Sequence, residues 1–264
     1  MKTFLKKVLP KWMREFILRI IHAIKGMRYP GSKVLCTCCG RRFGKFVDQY
    51  PGKHQSDIRW AGNSESVFCP YCESAARHRI ACHWLELHMP FLNRDCRILM
   101  VGAEWSIENY FYKKGYKNVT TIDLYDPAAD VLCDIQKTQF ADNSMDIITC
   151  NHVLEHVSDY KMALREMHRI MSHRGILELS VPTDYNLSTT YEDANIISKT
   201  DRLIHFGQED HLRIFGRDFK QQVELCGFIV EVVAGNNVPK EIRPIVHGYD
   251  YNDNHVYFCR KILN

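Results

Sequence analysis

The 264-residue chain lacks any uninterrupted apolar run near the ~20 residues that a membrane-spanning helix needs. That excludes a spanning segment of this kind. It also lacks a strong charge of either sign, since 35 basic and 31 acidic residues leave a net +4, and charge alone does not announce a nucleic-acid partner. There is no internal repeat, no low-complexity tract and no recognisable secretory leader. A solenoid or low-complexity class is not expected. Glycine is scarce where a dinucleotide site would want it, because no G-x-G-x-x-G opens a strand-to-helix turn.

Cysteine is what the chain has in excess. Eleven cysteines without a leader point to a reducing cytoplasm, where paired cysteines hold metal rather than disulfides. Cys36-Thr-Cys-Cys39 and Cys69-Pro-Tyr-Cys72 are two C-x-x-C turns, each able to present two thiolates from one side. Four such ligands suit a closed, structural Zn2+. Cys36, Cys39, Cys69 and Cys72 are the expected ligands, and Cys38 is a spare that replaces Cys36 if the register differs. The other cysteines fall in apolar runs and read as core.

Three regions follow along the chain. Residues 1–28 carry eight basic residues against Glu15 alone, with apolar residues at three- and four-residue steps from Leu5 to Ile24. This predicts a basic amphipathic helix with Pro10 in its first turn and Gly26 as its stop. Residues 33–80 form the zinc-binding, zinc-ribbon-like module. Residues 95–264 read as an α/β domain, doubly wound and Rossmann-like, with strands expected at 97–102, 119–123, 145–151 and 175–182. A helix from Tyr160 closing at Gly175 joins the last two. Residues 183–215 are a polar, aromatic-rich insertion of the size that builds a lid, and helix 217–226 with strands 228–233 and 255–260 completes the sheet.

Within that domain the strand Arg97-Ile-Leu-Met-Val-Gly102 turns at a glycine, and the next strand ends in Asp123, where an acid can hold ribose hydroxyls. NAD and S-adenosylmethionine both offer ribose. The turn Gly102-Ala-Glu-Trp-Ser106 puts Glu104 where a diphosphate would be repelled but a sulfonium tolerated. The region from Arg97 to Phe228 resembles the class I S-adenosylmethionine-dependent methyltransferases. The resemblance is carried by Val153-Leu-Glu-His-Val157, Phe140-Ala-Asp-Asn-Ser-Met-Asp146 and Arg165-Glu-Met-His-Arg169. It implies that Gly102 and Ala103 lie under the methionine part, that Asp123 and Leu124 take the ribose, and that Asp134 and Ile135 flank adenine. Asn151 would close the pocket. The group's further glycines are replaced here by Ala103, Glu104 and Ser106.

Methyl transfer from a sulfonium is a direct displacement, so alignment of the acceptor carries most of the catalysis. A hydroxyl acceptor also needs a base. His152 and Asp184, at expected strand ends, and His211 in the insertion are the candidates, while His156 is expected to orient a helix start. Arg77, His78 or Arg79 can reach the cofactor carboxylate or an anionic substrate. The two knuckles, Arg77-His-Arg79 and Phe206-Gly-Gln-Glu-Asp-His-Leu-Arg-Ile-Phe-Gly216 together resemble bacterial methyltransferases associated with surface-polysaccharide biosynthesis. They imply a small-molecule or glycan acceptor, specifically a sugar of a cell-surface glycan or its precursor. The other readings are a ribosomal or transfer RNA methyltransferase, disfavoured by the sparse aromatic and basic alternation, and a non-catalytic binding protein on the same fold. The expected location is the cytoplasm. Residues 1–28 either lie on the inner face of the cytoplasmic membrane or pack on the protein itself or on a second copy.

Overall fold

The computed structural model describes residues 11–47, 68–89, 93–243 and 255–262. Residues 1–10 of the expected N-terminal helix, Pro10 included, much of the loop between the two knuckles, and residues 244–254 lie outside the described residues. The chain opens with helix α1 (Lys11–Met27) and the hairpin β1 (Val34–Cys36) and β2 (Arg41–Phe43), followed by α2 (Ala76–His88). The α/β part runs β3 (Ile98–Val101), α3 (Trp105–Lys114), β4 (Val119–Asp123), β5 (Val131–Leu132), β6 (Met145–Asn151), α4 (Tyr160–Ile170) and β7 (Met171–Ser180). The insertion contributes β8 (Tyr191–Glu192), α5 (Lys199–Phe206) and β9 (Arg213–Ile214). The chain then adds α6 (Phe219–Glu224), β10 (Phe228–Val233) and β11 (Val256–Lys261).

Seven strands form one sheet in the order β5-β4-β3-β6-β7-β11-β10. The strands from β3 to β7 pair in parallel, and β11 runs antiparallel to both of its neighbours. Successive strands leave β3 first toward β4 and β5, then on its other side toward β6. The strand order reverses there, and the carboxyl ends of β3 and β6 flank the switch point, the place where open α/β sheets form a ligand crevice.

Alternation along these strands divides the core in two. Ile98, Met100, Ile147, Ile176 and Phe258 face α2, α3 and the cysteine module, whereas Leu99, Val101, Ile148, Leu177 and Leu179 face α4 and α6. Burying one such side chain is worth about 1.5–3 kcal/mol. The four knuckle cysteines, Phe43 and Phe46 belong to the first of these clusters, so the cysteine module is packed onto the sheet. Arg79 pins it there. This fully buried guanidinium donates to the carbonyls of Ser74 (2.6 Å) and Ile242 (3.0 Å) and stacks on Phe46. Arg79 is therefore committed to the scaffold and is not a contact for an anionic ligand.

Two boundaries differ from the sequence pattern. The crossover helix ends at Ile170, not at Gly175, because the chain passes directly into β7 and Met171 already pairs with Met145. Gly175 serves close packing instead: a Cβ there would lie 2.6 Å from Met171 Cγ and 3.0 Å from the Ser172 carbonyl oxygen. The first helix runs one residue past Gly26. On α1, His22 and Gly26 are buried, with the His22 ring edge-on to Trp105 at 4.6 Å and Lys25 bonded to Glu73 at 2.7 Å. Phe16, Ile20, Ile24 and Met27 form a second, exposed apolar stripe.

Candidate functional site

The rim formed by the carboxyl ends of β3, β4 and β5 gathers most of the residues expected around the cofactor. Gly102 follows β3 with φ +63°, and its N–H donates to the Ile122 carbonyl at 2.9 Å. A Cβ at Gly102 would sit 2.8 Å from Val153 Cγ2, so glycine meets both the backbone conformation and the close approach of the β6 side. Asp123 Oδ1 accepts from the N–H groups of Tyr125 (2.7 Å) and Asp126 (2.8 Å), which fixes the turn after β4 and presents Leu124 half-exposed beside it. Asp134 is held by the Gln136 backbone N–H and side-chain amide, next to buried Ile135. Ala103 and the half-buried Gly102 lie at the mouth.

Glu104, the lone acid of the first turn, is matched by α2. Arg77 Nη2 lies 3.1 Å from Glu104 Oε1, and His78 Nε2 faces the other carboxylate oxygen. His78 accepts the Ala75 N–H through Nδ1 (3.2 Å), so its proton sits on Nε2 toward Glu104. Although burial alone would raise it, the charges of Arg77 and His78 hold Glu104 down at about 2. The Arg-His pair and the unusual loop are thus one ensemble at the end of β3.

On the other side of the crevice, β6 ends in Asn151 and His152. Asn151 is buried and committed, donating to Glu178 Oε2 at 2.8 Å and accepting from Ser180 Oγ. Glu178 is fully buried, and burial pushes it up to about 8. His152 adopts φ +51°, a conformation that costs a non-glycine residue on the order of 1–3 kcal/mol. Desolvation together with the charge of Arg77 lowers its pKa well below the usual histidine range, which keeps the ring uncharged.

The insertion is stitched to the loop after β6. Buried Arg213 donates to the carbonyls of Leu154 (2.8 Å), Val157 (2.5 Å) and Ser158 (3.0 Å) and pairs with Glu192 (2.8 Å), while Leu212 N–H donates to the Glu155 carbonyl at 2.8 Å. This brings His211 against His156, with ring centroids 4.8 Å apart. Glu155 between them has no exposed surface, and neither carboxylate oxygen accepts a hydrogen bond from another residue. Burial raises it to about 8. His152 Nδ1 stands 3.4 Å from it. Of the three expected bases, His152 and His211 therefore flank one group. Asp184 lies apart at the end of β7, its Oδ1 holding the backbone and side-chain N–H groups of Asn186.

Sequence reasoning missed Glu155, Glu178 and Arg213. Glu155 stood in view inside Val153-Leu-Glu-His-Val157, but nothing in the local pattern says that its carboxylate is buried.

The four knuckle sulfurs converge just before the N-terminus of α2, where Cys36 Sγ lies 3.1 Å from Ser74 Oγ. Cys36 and Cys72 Sγ atoms are 3.5 Å apart, Cys39 and Cys69 are 3.8 Å apart, and all four lie within 4.8 Å of one another, all buried. A tetrahedral Zn–S site with bonds near 2.3 Å has edges of about 3.8 Å, so these residues fit a metal ion. Cys38 stays outside the group. Among the described residues no helix is long and apolar enough to cross a membrane.

Residues 101–179 match a family model described as a methyltransferase domain. Over 103 residues, 37% of this chain, the sequence is 30% identical to the ubiquinone/menaquinone biosynthesis C-methyltransferase UbiE of two Klebsiella pneumoniae strains. The chain spans 41% of the length of those curated relatives. The fold is shared with the 1,6-didemethyltoxoflavin-N1-methyltransferase of Burkholderia thailandensis, solved with 1,6-didemethyltoxoflavin and S-adenosylhomocysteine. That likeness has a TM-score of 0.50 at 17% identity and covers 72% of this chain and 79% of that one. The chain has the α/β fold of the S-adenosylmethionine-dependent methyltransferases, with a mainly parallel central sheet.

Proposed function

We propose that the chain is an S-adenosylmethionine-dependent methyltransferase that O-methylates a sugar of a cell-surface glycan or its precursor. One observation carries the reading: the segment that matches a methyltransferase domain is the one that sets Gly102, Asp123 and His152 around the crevice where the sheet order reverses. When bound, S-adenosylmethionine supplies an electrophilic methyl group. Gly102 leaves the mouth of β3 open to it, Asp123 and Leu124 take the ribose, and Asp134 and Ile135 flank the adenine. Arg77 neutralises Glu104 and His78 faces its other oxygen through Nε2, so the rim does not repel the cofactor carboxylate. His152 accepts the proton that a hydroxyl acceptor must lose, which is why an oxygen acceptor suits this rim.

The Cys36, Cys39, Cys69 and Cys72 group holds a structural Zn2+ in this reading, supported by its sulfur spacing. Residues 1–28 rest on the inner face of the cytoplasmic membrane, supported by the exposed Phe16, Ile20, Ile24 and Met27 stripe in a segment whose sequence carries eight basic residues. Such a contact would bring the enzyme to lipid-linked acceptors. Mass spectrometry of surface glycans from cells with and without the gene tests the acceptor: loss of a methyl group from one sugar is expected, and unchanged glycan methylation overturns the assignment. Sedimentation with anionic vesicles tests the helix, with binding expected for the full chain and lost when it starts at Tyr29.

A further inference from the structure

The buried group beside the rim is chemically incomplete as it stands. Glu155 is fully buried, yet neither of its oxygens accepts a hydrogen bond from another residue, and the buried Nε2 of His211 is equally without a partner. A buried carboxylate without partners is costly, and such groups are ordinarily paired or bound to a metal. One ligand atom from each of Glu155, His156 and His211 lies within 4.8 Å of the others. Metal–nitrogen bonds near 2.0–2.1 Å put neighbouring ligand atoms of a tetrahedral site about 3.3 Å apart, so closure by roughly 1.5 Å or less completes the set.

The surroundings match what metal-ligating histidines require. Such a ring gives its second nitrogen to a carboxylate or a backbone carbonyl, which fixes its tautomer and orientation. His211 Nδ1 is 2.9 Å from the Phe206 carbonyl oxygen, and His156 Nδ1 is 3.3 Å from the Asp210 carbonyl oxygen and 3.4 Å from Asp210 Oδ2. His156 Nε2 is thereby left on the Glu155 side, 4.0 Å from Oε1. Arg213 and the Leu212 N–H clamp the two segments that carry the ligands. We propose that Glu155, His156 and His211 form a second cation site, for a divalent first-row transition metal ion, whose open coordination positions take an oxygen of the acceptor.

Two imidazoles and one carboxylate suit a borderline metal ion, in contrast to the soft four-sulfur group. Three protein ligands leave the site open, as catalytic centres are and closed structural ones are not. His152, 3.4 Å from Glu155, stands where an oxygen held by the cation would meet the rim. The role at the acceptor rests on the methyl-transfer reading, whereas the cation site itself does not.

The test is a Co2+ titration of the full chain purified with zinc. One further equivalent of Co2+ is expected, with ligand-field absorption that lacks the near-ultraviolet sulfur-to-metal charge transfer of thiolate sites. His156→Ala, at a half-exposed ring, is expected to weaken Co2+ binding at least tenfold while the protein keeps its fold. His211→Ala should do the same. Absence of the additional equivalent, charge-transfer absorption accounting for all bound Co2+, or unchanged affinity in a folded His156→Ala protein overturns the site. S-adenosylhomocysteine binding by the same samples reports separately on the methyl-transfer reading.

Discussion

The four sulfurs of the cysteine module and the Glu155, His156 and His211 group are built by opposite means. Each pair of sulfurs comes from one tight turn, so local backbone geometry sets half of the site before the fold forms. The second group is closed only when the insertion docks on the loop after β6 through Arg213 and Leu212. The first is a group of thiols that share one another's burial, the second a buried carboxyl group that accepts no hydrogen bond from another residue. A local site is made to be permanent, whereas a site assembled by a docked insertion can open when the insertion moves. That contrast matches a structural role for one and a role at the acceptor for the other.

The largest effect expected from this contrast is at the cysteines. Cys69→Ser should release the metal and destabilise the protein by on the order of 5 kcal/mol or more, since metal binding is coupled to folding of such modules. The loss should reach the sheet, because the module shares a core with Ile98 and Phe258. Metal analysis and thermal melts with and without chelator check it. Full metal content with an unshifted melt would show that the local cluster does not hold the fold.

Arg213→Ala comes next, at about 2–5 kcal/mol. It removes a buried guanidinium and leaves three carbonyls of the Leu154–Ser158 loop without their donor. Here the damage should stay local. Limited proteolysis should cut within 183–215 in the variant while the cysteine module remains protected, and equal protection of both segments would erase the distinction between them.

How much of each site the sequence displays follows from the same contrast. The C-x-x-C spacing brings forward the four cysteines that the fold gathers, with Cys38 left over as the spare, and strand patterning locates Gly102 and Asp123 because both follow directly from where an apolar run stops. Glu155 and His211 meet only through tertiary docking, so no spacing rule pairs them. Glu104 reads as an isolated acid until α2 supplies Arg77 and His78. The Phe140–Asp146 and Arg165–Arg169 motifs are legible as marks of a family, but in the fold they are scaffold. Asp146 binds Arg97 at 2.9 Å, while Glu166 and Asp142 bind Arg169. Helix and strand boundaries near Gly175 were misleading because a glycine needed for close packing looks like one that ends a helix.

A pH-dependent effect concerns Glu178, the buried acid under Asn151. Its pKa rises from an ordinary 4.5 to about 8, chiefly by burial, so the folded protein keeps a proton that the unfolded chain releases. Its contribution to stability is full below about pH 4.5 and is lost as the pH rises through about 8. Glu178→Gln keeps an acceptor for Asn151 and removes the titration. Relative to the variant, the parent should lose up to about 1.4 kcal/mol for each pH unit across that window. Melting temperatures from pH 4 to 9 check this, and parallel curves for the two proteins would show that Glu178 does not titrate with folding.

The most direct measurement is calorimetric titration of S-adenosylhomocysteine into the parent and into Asp123→Ala. Saturable binding of one molecule per chain is predicted for the parent. The variant should bind about 10–100-fold more weakly, because hydrogen bonds to a charged group are worth about 1.5–3 kcal/mol. No binding by the parent, or unchanged affinity in a folded Asp123→Ala protein, would contradict the assignment of the rim of β3, β4 and β5 as the cofactor site.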